Sequence, residues 1–160
     1  MSEPKDKTNV TRLLEAAGVE FEILDYEVDE SDLSAVHAAE SLGLDPDQVF
    51  KTILLVGERR GPFVCVIPGS CEIDLKKAAR ARGDKSASLL PLKELEPLTG
   101  YLRGGCSPLG MKKTFPTFID ETAMLFEKIS VSAGRRGLQV LIAPAVLAGI
   151  CGASRVDLIT

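Results

Sequence analysis

The sequence predicts a single domain of the mixed α/β class (α+β type), and three observations lead to this prediction. The 160 residues are enough for one hydrophobic core, with 45% hydrophobic and 26% charged side chains. Helix and strand patterns are intermixed, but a β-hairpin interrupts any regular βαβ order, which favours a mixed sheet over a doubly wound one. No linker or internal repeat divides the chain, so we expect a mobile tail at residues 1–7 and one domain over residues 8–160.

The first third of the chain predicts two helices and a strand. Thr8–Ala17 carries apolar residues on one helical face and is followed by a glycine, a common helix stop. Val19–Tyr26 alternates in hydrophobicity and predicts a strand. After an acidic loop, Ser34–Leu42 predicts a second short helix, and Asp45-Pro46 begins a turn.

The middle of the chain contains the clearest β signal. Lys51–Val56 and Pro62–Pro68 flank a short polar turn and predict a hairpin. Asp74–Arg82 then predicts a helix, with an aspartate cap at its start and a glycine after its end. We expect a strand at Ser86–Leu90 and a short helix at Leu92–Leu98.

The last third predicts four strands and one helix that begins at a proline. The strands are Thr117–Ile119, Lys128–Val131, Gly137–Ile142 and Arg155–Ile159, and the helix is Pro144–Ile150.

Composition excludes several classes of function. A net charge of −4 argues against indiscriminate binding to nucleic acid, and we expect no DNA partner. No stretch reaches the 18 apolar residues of a membrane span, and the polar N-terminal residues lack a secretory signal. We therefore expect a cytoplasmic protein without a membrane partner.

The cysteines and the single histidine do not have the spacing of a metal site. The four cysteines form no C-x-x-C pair, and His37 is distant from all of them in sequence. We expect no metal, no other cofactor, and reduced thiols that are mostly buried.

The stretch Thr99–Gly110 is unusually rich in glycine. Such a loop is either a long surface turn or a cluster of main-chain N–H donors suited to a phosphate, a carboxylate or an oxyanion. Met111 stands where a P-loop requires lysine, so nucleoside triphosphate binding is not expected. The glycine spacing also fits neither the G-x-S-x-G elbow nor the dinucleotide G-x-G-x-x-G motif.

Three motifs in this order resemble the YbaK-type Cys-tRNA(Pro) deacylases, which are relatives of the editing domain of prolyl-tRNA synthetases. They are Phe50-Lys51-Thr52, then Thr99-Gly-Tyr-x-x-Gly-Gly-x-Ser-Pro-x-Gly110, then Val131-Ser-Ala-Gly-Arg-Arg-Gly137. The resemblance extends from about Thr8 to Thr160. It implies a strongly curved mixed sheet, close to a half-barrel, surrounded by helices.

The resemblance also implies the residues of the site. Lys51 would hold the ester end of the tRNA or its phosphate, although on the residues alone it is an ordinary lysine at a strand end. Glycines and a serine of the loop would supply catalytic donors and close backbone approach, and further residues would bind the substrate. The donors are Gly104, Gly105 and Ser107, and the binding residues are Tyr26, Gly100, Tyr101, Ser132 and Gly134.

Other reactive side chains have simpler interpretations. His37 lies in an alanine-rich helix, and as the only histidine it is the only possible base for a Ser-His-Asp triad, which disfavours triad chemistry. Cys106 is a small apolar residue without a visible partner for redox or nucleophilic work. Asp120 is interpreted as the start of a turn.

The activity that the resemblance implies is removal of cysteine from mischarged Cys-tRNA(Pro), with Cys-tRNA(Cys) as a further substrate. The thiol of the substrate attacks its own ester, so the protein needs to supply only position and oxyanion stabilisation. The alternatives are water-dependent editing of alanine or serine, and a non-catalytic module that binds tRNA or a synthetase. A complex with prolyl-tRNA synthetase is a further expectation.

The helix predicted at Asp74–Arg82 has a basic flank of Lys76, Lys77, Arg80 and Arg82 on an otherwise acidic protein. This flank is either part of the tRNA-binding surface or an ordinary solvated helix face.

Overall fold

The computed structural model describes residues 7–160 and contains eight strands in two sheets. Strands β1 (Glu22–Asp25), β7 (Leu138–Ile142) and β6 (Ile129–Ser132) form a three-stranded antiparallel sheet in that order. The second sheet is mixed and has the order β4-β2-β3-β5-β8. Its strands are β2 (Phe50–Gly57), β3 (Gly61–Pro68), β4 (Ala87–Leu89), β5 (Thr117–Asp120) and β8 (Ser154–Val156).

An isolated parallel bridge between Val49 and Ser130 links the two sheets. In the larger sheet β2 pairs with β3 and β4 in antiparallel fashion, whereas β5 runs parallel to β3 and to β8. This combination confirms the mixed α/β class, and neither sheet closes on itself.

Five helices accompany the sheets: α1 (Asn9–Ala17), α2 (Ala35–Leu42), α3 (Leu75–Arg82), α4 (Leu95–Thr99) and α5 (Pro144–Cys151). The side chains of Ser34 and Asp74 accept main-chain N–H groups at the starts of α2 and α3, as N-caps do. Short 3₁₀ helices occupy Leu92–Glu94 and Glu121–Leu125.

The β2–β3 hairpin separates two hydrophobic clusters. One face, with Phe50 and Leu54, packs against the three-stranded sheet, α1 and α5. The opposite face, with Leu55 and Phe63, packs against Ala78 of α3. The start of β2 therefore lies at an edge of the main core, where a side chain can reach both packed structure and solvent.

The predicted elements agree with the observed ones to within a few residues at most ends. The strand predicted at Val19–Tyr26 is shorter, because only four of its residues pair with β7. The strand predicted at Arg155–Ile159 ends at Val156, and Ile159 makes an isolated bridge to Ile73. The predicted tail at residues 1–7 lies, apart from Lys7, outside the described residues. Within the described part of the chain, no helix is long and apolar enough to cross a bilayer.

Candidate functional site

A pocket of about 290 Å³ opens where the start of β2, the end of β3, the start of α2 and two glycine-bearing loops meet. The loops are residues 100–110 and 133–137. The pocket is lined by Tyr26, Leu33, Ser34, Ala35, Ala38, Phe50, Lys51, Thr52, Gly69, Arg103, Gly104, Cys106, Ser132 and Gln139. Four of the predicted site residues are thus brought together, namely Tyr26, Lys51, Gly104 and Ser132.

Lys51 enters the pocket from β2 and is only partly exposed. Its Nζ donates a hydrogen bond of 3.2 Å to the main-chain oxygen of Gly69, the residue that follows β3. Burial lowers the pKa of its ammonium, and the nearby Cys71 and Glu72 partly oppose that shift. The pocket therefore contains a positioned cation that is easier to deprotonate than a surface lysine.

The loop of residues 100–110 forms one wall of the pocket. Gly104 adopts a left-handed backbone with φ of 87°, which a residue with a side chain rarely adopts. The main-chain N–H groups of Gly104 and Cys106 make no hydrogen bond within residues 7–160, and both residues line the pocket. The N–H of Gly105 is instead used in a turn, where it donates to Leu102 at 2.9 Å.

Gly105 has a packing role. A Cβ atom at this position would lie 3.0 Å from the main chain of Arg135 and Arg136. The two glycine-bearing loops therefore touch through their backbones, and glycine is what permits the contact.

Polar side chains on β6, β7 and β2 complete the pocket. The Ser132 hydroxyl accepts the N–H of Gly134 at 3.1 Å. The Ser130 hydroxyl donates to Oε1 of Gln139 at 2.7 Å, which leaves the amide nitrogen of Gln139 as a donor at the pocket. The Thr52 hydroxyl is buried and has no hydrogen-bond partner in the described part of the chain.

The other predicted site residues lie behind the wall. Ser107 is fully buried, and its hydroxyl accepts the N–H of Leu109 at 3.3 Å. Gly100 ends α4 with φ of 86°. Tyr101 is buried, and its hydroxyl donates to the main-chain oxygen of Leu109. Gly134 lies close to this ring, since a Cβ there would be 3.2 Å from Tyr101.

The start of α1 supports both loops from behind. The Thr8 hydroxyl donates to the main-chain oxygen of Ala133 at 2.6 Å. The Asn9 amide donates to the main-chain oxygen of Gly110 at 2.9 Å and to the Tyr101 hydroxyl at 3.2 Å. Residues outside the pocket thus hold its walls in place.

Neither of the two candidate nucleophile or base residues is set up for that role. Cys106 lines the pocket, but burial raises the pKa of its thiol to about 12, so it is a neutral thiol at physiological pH. His37 lies beside Tyr26, with ring centroids 6.5 Å apart, and is outside the lining. All four cysteines are free, and residues 7–160 contain no group of three or more His, Cys, Asp or Glu side chains that could hold a metal.

The four basic residues of α3 differ in their contacts and in their exposure. Lys77 forms an ion pair with Asp157 at 2.8 Å and also donates to the main-chain oxygen of Ile159, so it anchors the C-terminal segment. Lys76 and Arg80 are exposed and line a separate surface depression. The Nε of Arg82 is buried without a partner in the described part of the chain.

Asp120 has a structural role, as predicted. It caps the 3₁₀ helix that follows β5 by accepting the N–H of Thr122, and it also accepts the N–H of Leu158 at 2.9 Å.

Sequence reasoning missed much of the pocket lining, and Gln139, Thr52 and Arg103 are the polar examples that matter for binding. Gln139 is the only polar residue within the otherwise apolar strand β7, a pattern that could have indicated it. Thr52 lies inside the first motif, and Arg103 lies inside the glycine loop, yet neither motif indicates which side chains face the pocket.

The fold and the pocket define a class: mixed α/β domains with a small polar pocket walled by glycine loops. The sequence model described as "Aminoacyl-tRNA editing domain" matches residues 30–150. The chain therefore belongs to the aminoacyl-tRNA editing domain family, which confirms the resemblance stated above.

Two relatives extend this comparison. The chain is 45% identical over 156 residues to EbsC of Enterococcus faecalis, named as a candidate Cys-tRNA(Pro)/Cys-tRNA(Cys) deacylase, with 98% of this chain and 95% of EbsC covered. It is 27% identical over 121 residues to the uncharacterized protein YwhH of Bacillus subtilis, with 76% of each chain covered.

Solved structures agree on the fold. A candidate trans-editing enzyme for prolyl-tRNA synthetase matches with a TM-score of 0.83 and 25% identity, covering 96% of this chain and 99% of that one. The hypothetical protein APE2540 matches with a TM-score of 0.87 and 22% identity, covering 96% and 100% of the two chains.

Proposed function

We propose that the protein is a trans-editing deacylase that removes cysteine from mischarged Cys-tRNA(Pro), with Cys-tRNA(Cys) as a further substrate. The observation that carries the proposal is the content of the pocket. It holds a positioned ammonium from Lys51 and free N–H donors from Gly104 and Cys106, whereas its one thiol is neutral. Such a site can stabilise an oxyanion but lacks an activated nucleophile.

The substrate itself supplies the nucleophile in this mechanism. The thiol sulfur of the esterified cysteine attacks its own carbonyl carbon, a C–S bond forms, and the ester C–O bond breaks. The thiol proton ends on the ribose oxygen of the leaving tRNA, and the other product is a cyclic thiolactone. Lys51 and the two N–H donors stabilise the negative charge on the carbonyl oxygen during the attack.

A need for such editing follows from the size of the amino acids. A binding pocket separates ligands that differ by one methylene by only ~1–3 kcal/mol, so a synthetase specific for proline cannot reject cysteine by fit alone. A second site that clears the wrong product improves fidelity. We place this activity in the cytoplasm and propose prolyl-tRNA synthetase as the partner that presents the substrate.

The test uses one tRNA charged with cysteine, serine, alanine or S-methylcysteine. We expect rapid loss of cysteine and slow loss of serine, because a thiol with a pKa of about 8.5 is far more readily ionised than a hydroxyl. S-methylcysteine should bind and remain attached. Rapid release of S-methylcysteine or alanine would favour attack by water, and binding without turnover of any substrate would indicate a non-catalytic module.

A further inference from the structure

Three arginines lie in or near the pocket. Arg103 lies in its lining and also borders a neighbouring surface depression that Arg136 shares. Arg135 and Arg136 border a third depression next to Tyr26. Within residues 7–160 none of these guanidinium groups forms an ion pair with a carboxylate. Asp25 shares the depression of Arg135 and Arg136, whereas Arg103 is the arginine in the lining of the pocket itself and is the one placed to bind an anionic ligand.

The backbone of Arg103 is held in place. Nε of Arg136 donates a hydrogen bond of 2.8 Å to the main-chain oxygen of Arg103, and Gly105 lets the two loops touch. Arg103 itself is exposed, and its guanidinium donates no hydrogen bond within the described residues. Its five donors are therefore free to bind a ligand from a fixed point on the rim.

The loop before α2 is anionic. It carries Glu27, Asp29, Glu30 and Asp32. Hydrogen bonds from Ser31 lower the pKa of Asp29, and hydrogen bonds from Ser34 lower the pKa of Asp32. Since Ser34 lines the pocket, negative charge borders the site at this loop and disfavours a phosphate there, which leaves Arg103 as the exposed cation of the pocket lining.

Lys51 lies deeper in the pocket than Arg103. Its ammonium is partly buried and donates one hydrogen bond to Gly69, so we assign it to the ester end of the substrate and not to the backbone of the nucleic acid. In an aminoacyl-tRNA the ester is on the ribose of the last nucleotide, and the 5′-phosphate of that nucleotide is one sugar ring away. An amino acid in the pocket therefore leaves this phosphate near the rim.

We propose that Arg103 binds the 5′-phosphate of the terminal nucleotide, through the forked, charge-assisted hydrogen bonds that guanidinium forms with phosphate. This inference rests on the proposed function. It assigns separate roles to the two cationic side chains of the site: Lys51 acts at the ester, and Arg103 recognises the end of the nucleic acid.

The test compares two amide analogues that the enzyme cannot cleave, 3′-cysteinylamino-3′-deoxyadenosine and its 5′-monophosphate. The wild-type protein should bind the monophosphate at least tenfold more tightly, and Arg103→Gln should abolish that preference while leaving binding of the nucleoside unchanged. Arg155→Gln is the matched control, since Arg155 is an exposed arginine on β8 outside the pocket. It should retain the preference.

Equal binding of the two analogues by the wild-type protein, or an undiminished preference in Arg103→Gln, would overturn the inference. Because these analogues report binding alone, the result is independent of turnover. The corresponding esters test the proposed function separately: if the wild-type protein clears neither ester yet prefers the phosphorylated amide, the deacylase proposal fails and the phosphate site stands.

Discussion

The ammonium of Lys51 and the main-chain oxygen of Gly69 are joined by a 3.2 Å hydrogen bond that crosses the open end of the β2–β3 hairpin. The lysine is thereby held by the backbone of the neighbouring strand end instead of by a carboxylate. Its positive charge remains unneutralised within the pocket, which is the state required for stabilising a developing oxyanion.

Removal of this charge should impair catalysis and leave the fold intact. We expect Lys51→Ala to lower kcat/KM for deacylation at least tenfold, which corresponds to about 1.4 kcal/mol of transition-state stabilisation. Lys93→Ala, a change at an exposed lysine away from the pocket, serves as the control. Near-normal activity in a folded Lys51→Ala protein would refute the role of the lysine.

The pH profile should be bell-shaped. Activity rises with pH as the substrate thiol, with a pKa of about 8.5, ionises. It then falls as Lys51 loses its proton, and because burial lowers the pKa of that ammonium, the fall should begin below the ordinary lysine range. In Lys51→Arg the alkaline fall should disappear, since arginine stays charged. Rates corrected for spontaneous ester hydrolysis provide the measurement, and an unchanged alkaline limb in Lys51→Arg would assign it to another group.

Cys106→Ala and His37→Ala should each retain most of the activity. The Cys106 thiol has its pKa raised to about 12, so it provides almost no thiolate at neutral pH, and His37 is outside the pocket lining. Deacylation rates and mass spectrometry of the protein during turnover are the measurements. A hundredfold loss in folded Cys106→Ala, or a trapped acyl-enzyme, would indicate covalent catalysis instead.

The surface of α3 is best tested without Lys77, because reversing that charge would break its ion pair with Asp157. If the helix contacts tRNA, Lys76→Glu combined with Arg80→Glu should raise KM and reduce its dependence on salt, with kcat nearly unchanged. The matched control is Lys93→Glu combined with Arg155→Glu, which makes the same change in net charge elsewhere. Equal salt slopes in the two double variants would exclude α3 from the interface.

Substitution of Gly69 tests how tightly the pocket is packed, and the same substitution at Gly149 in α5 is the control. A Cβ at Gly69 would lie 2.5 Å from the Cβ of Ala35 and 2.8 Å from the main-chain oxygen of Val49. Gly69→Ala should therefore displace α2, lower the free energy of unfolding by ~1–3 kcal/mol and reduce activity. Gly149→Ala has open space within α5 and should be neutral or stabilising, by up to ~1 kcal/mol. Thermal unfolding of both variants is the measurement, and equal stability would contradict this prediction.

Regular structure was largely predictable, because local physics determines it. Alternating apolar residues around a polar turn indicated the hairpin, and the caps Ser34 and Asp74 lie where a side-chain oxygen precedes a helical pattern. Asp120 was likewise predictable as the start of a turn, because its carboxylate accepts the main-chain N–H of Thr122 two residues later. The ends of the terminal strands were less predictable, since strand length depends on the partner strand.

The site was predictable in part. Tyr26, Lys51, Gly104 and Ser132 converge on the pocket, as the resemblance implied. Ser107 and Tyr101 belong to the same motif but point into the protein, because the direction of a side chain in an irregular loop follows no sequence period. Gln139 and Arg103 became evident only when the sheet and the loops were placed together.

The contacts of α1 with the glycine loops have a consequence for how the protein is made. Thr8 and its partner Ala133 are 125 positions apart, and Asn9 is 101 positions from Gly110. During synthesis this helix is made well before the loops that it supports. The hairpin that carries Lys51 pairs two strands that are adjacent in sequence, so it can form as soon as both have been synthesised. The walls of the pocket can therefore be completed only after residues 133–137 have been made, when they meet a helix that was synthesised more than 100 residues earlier.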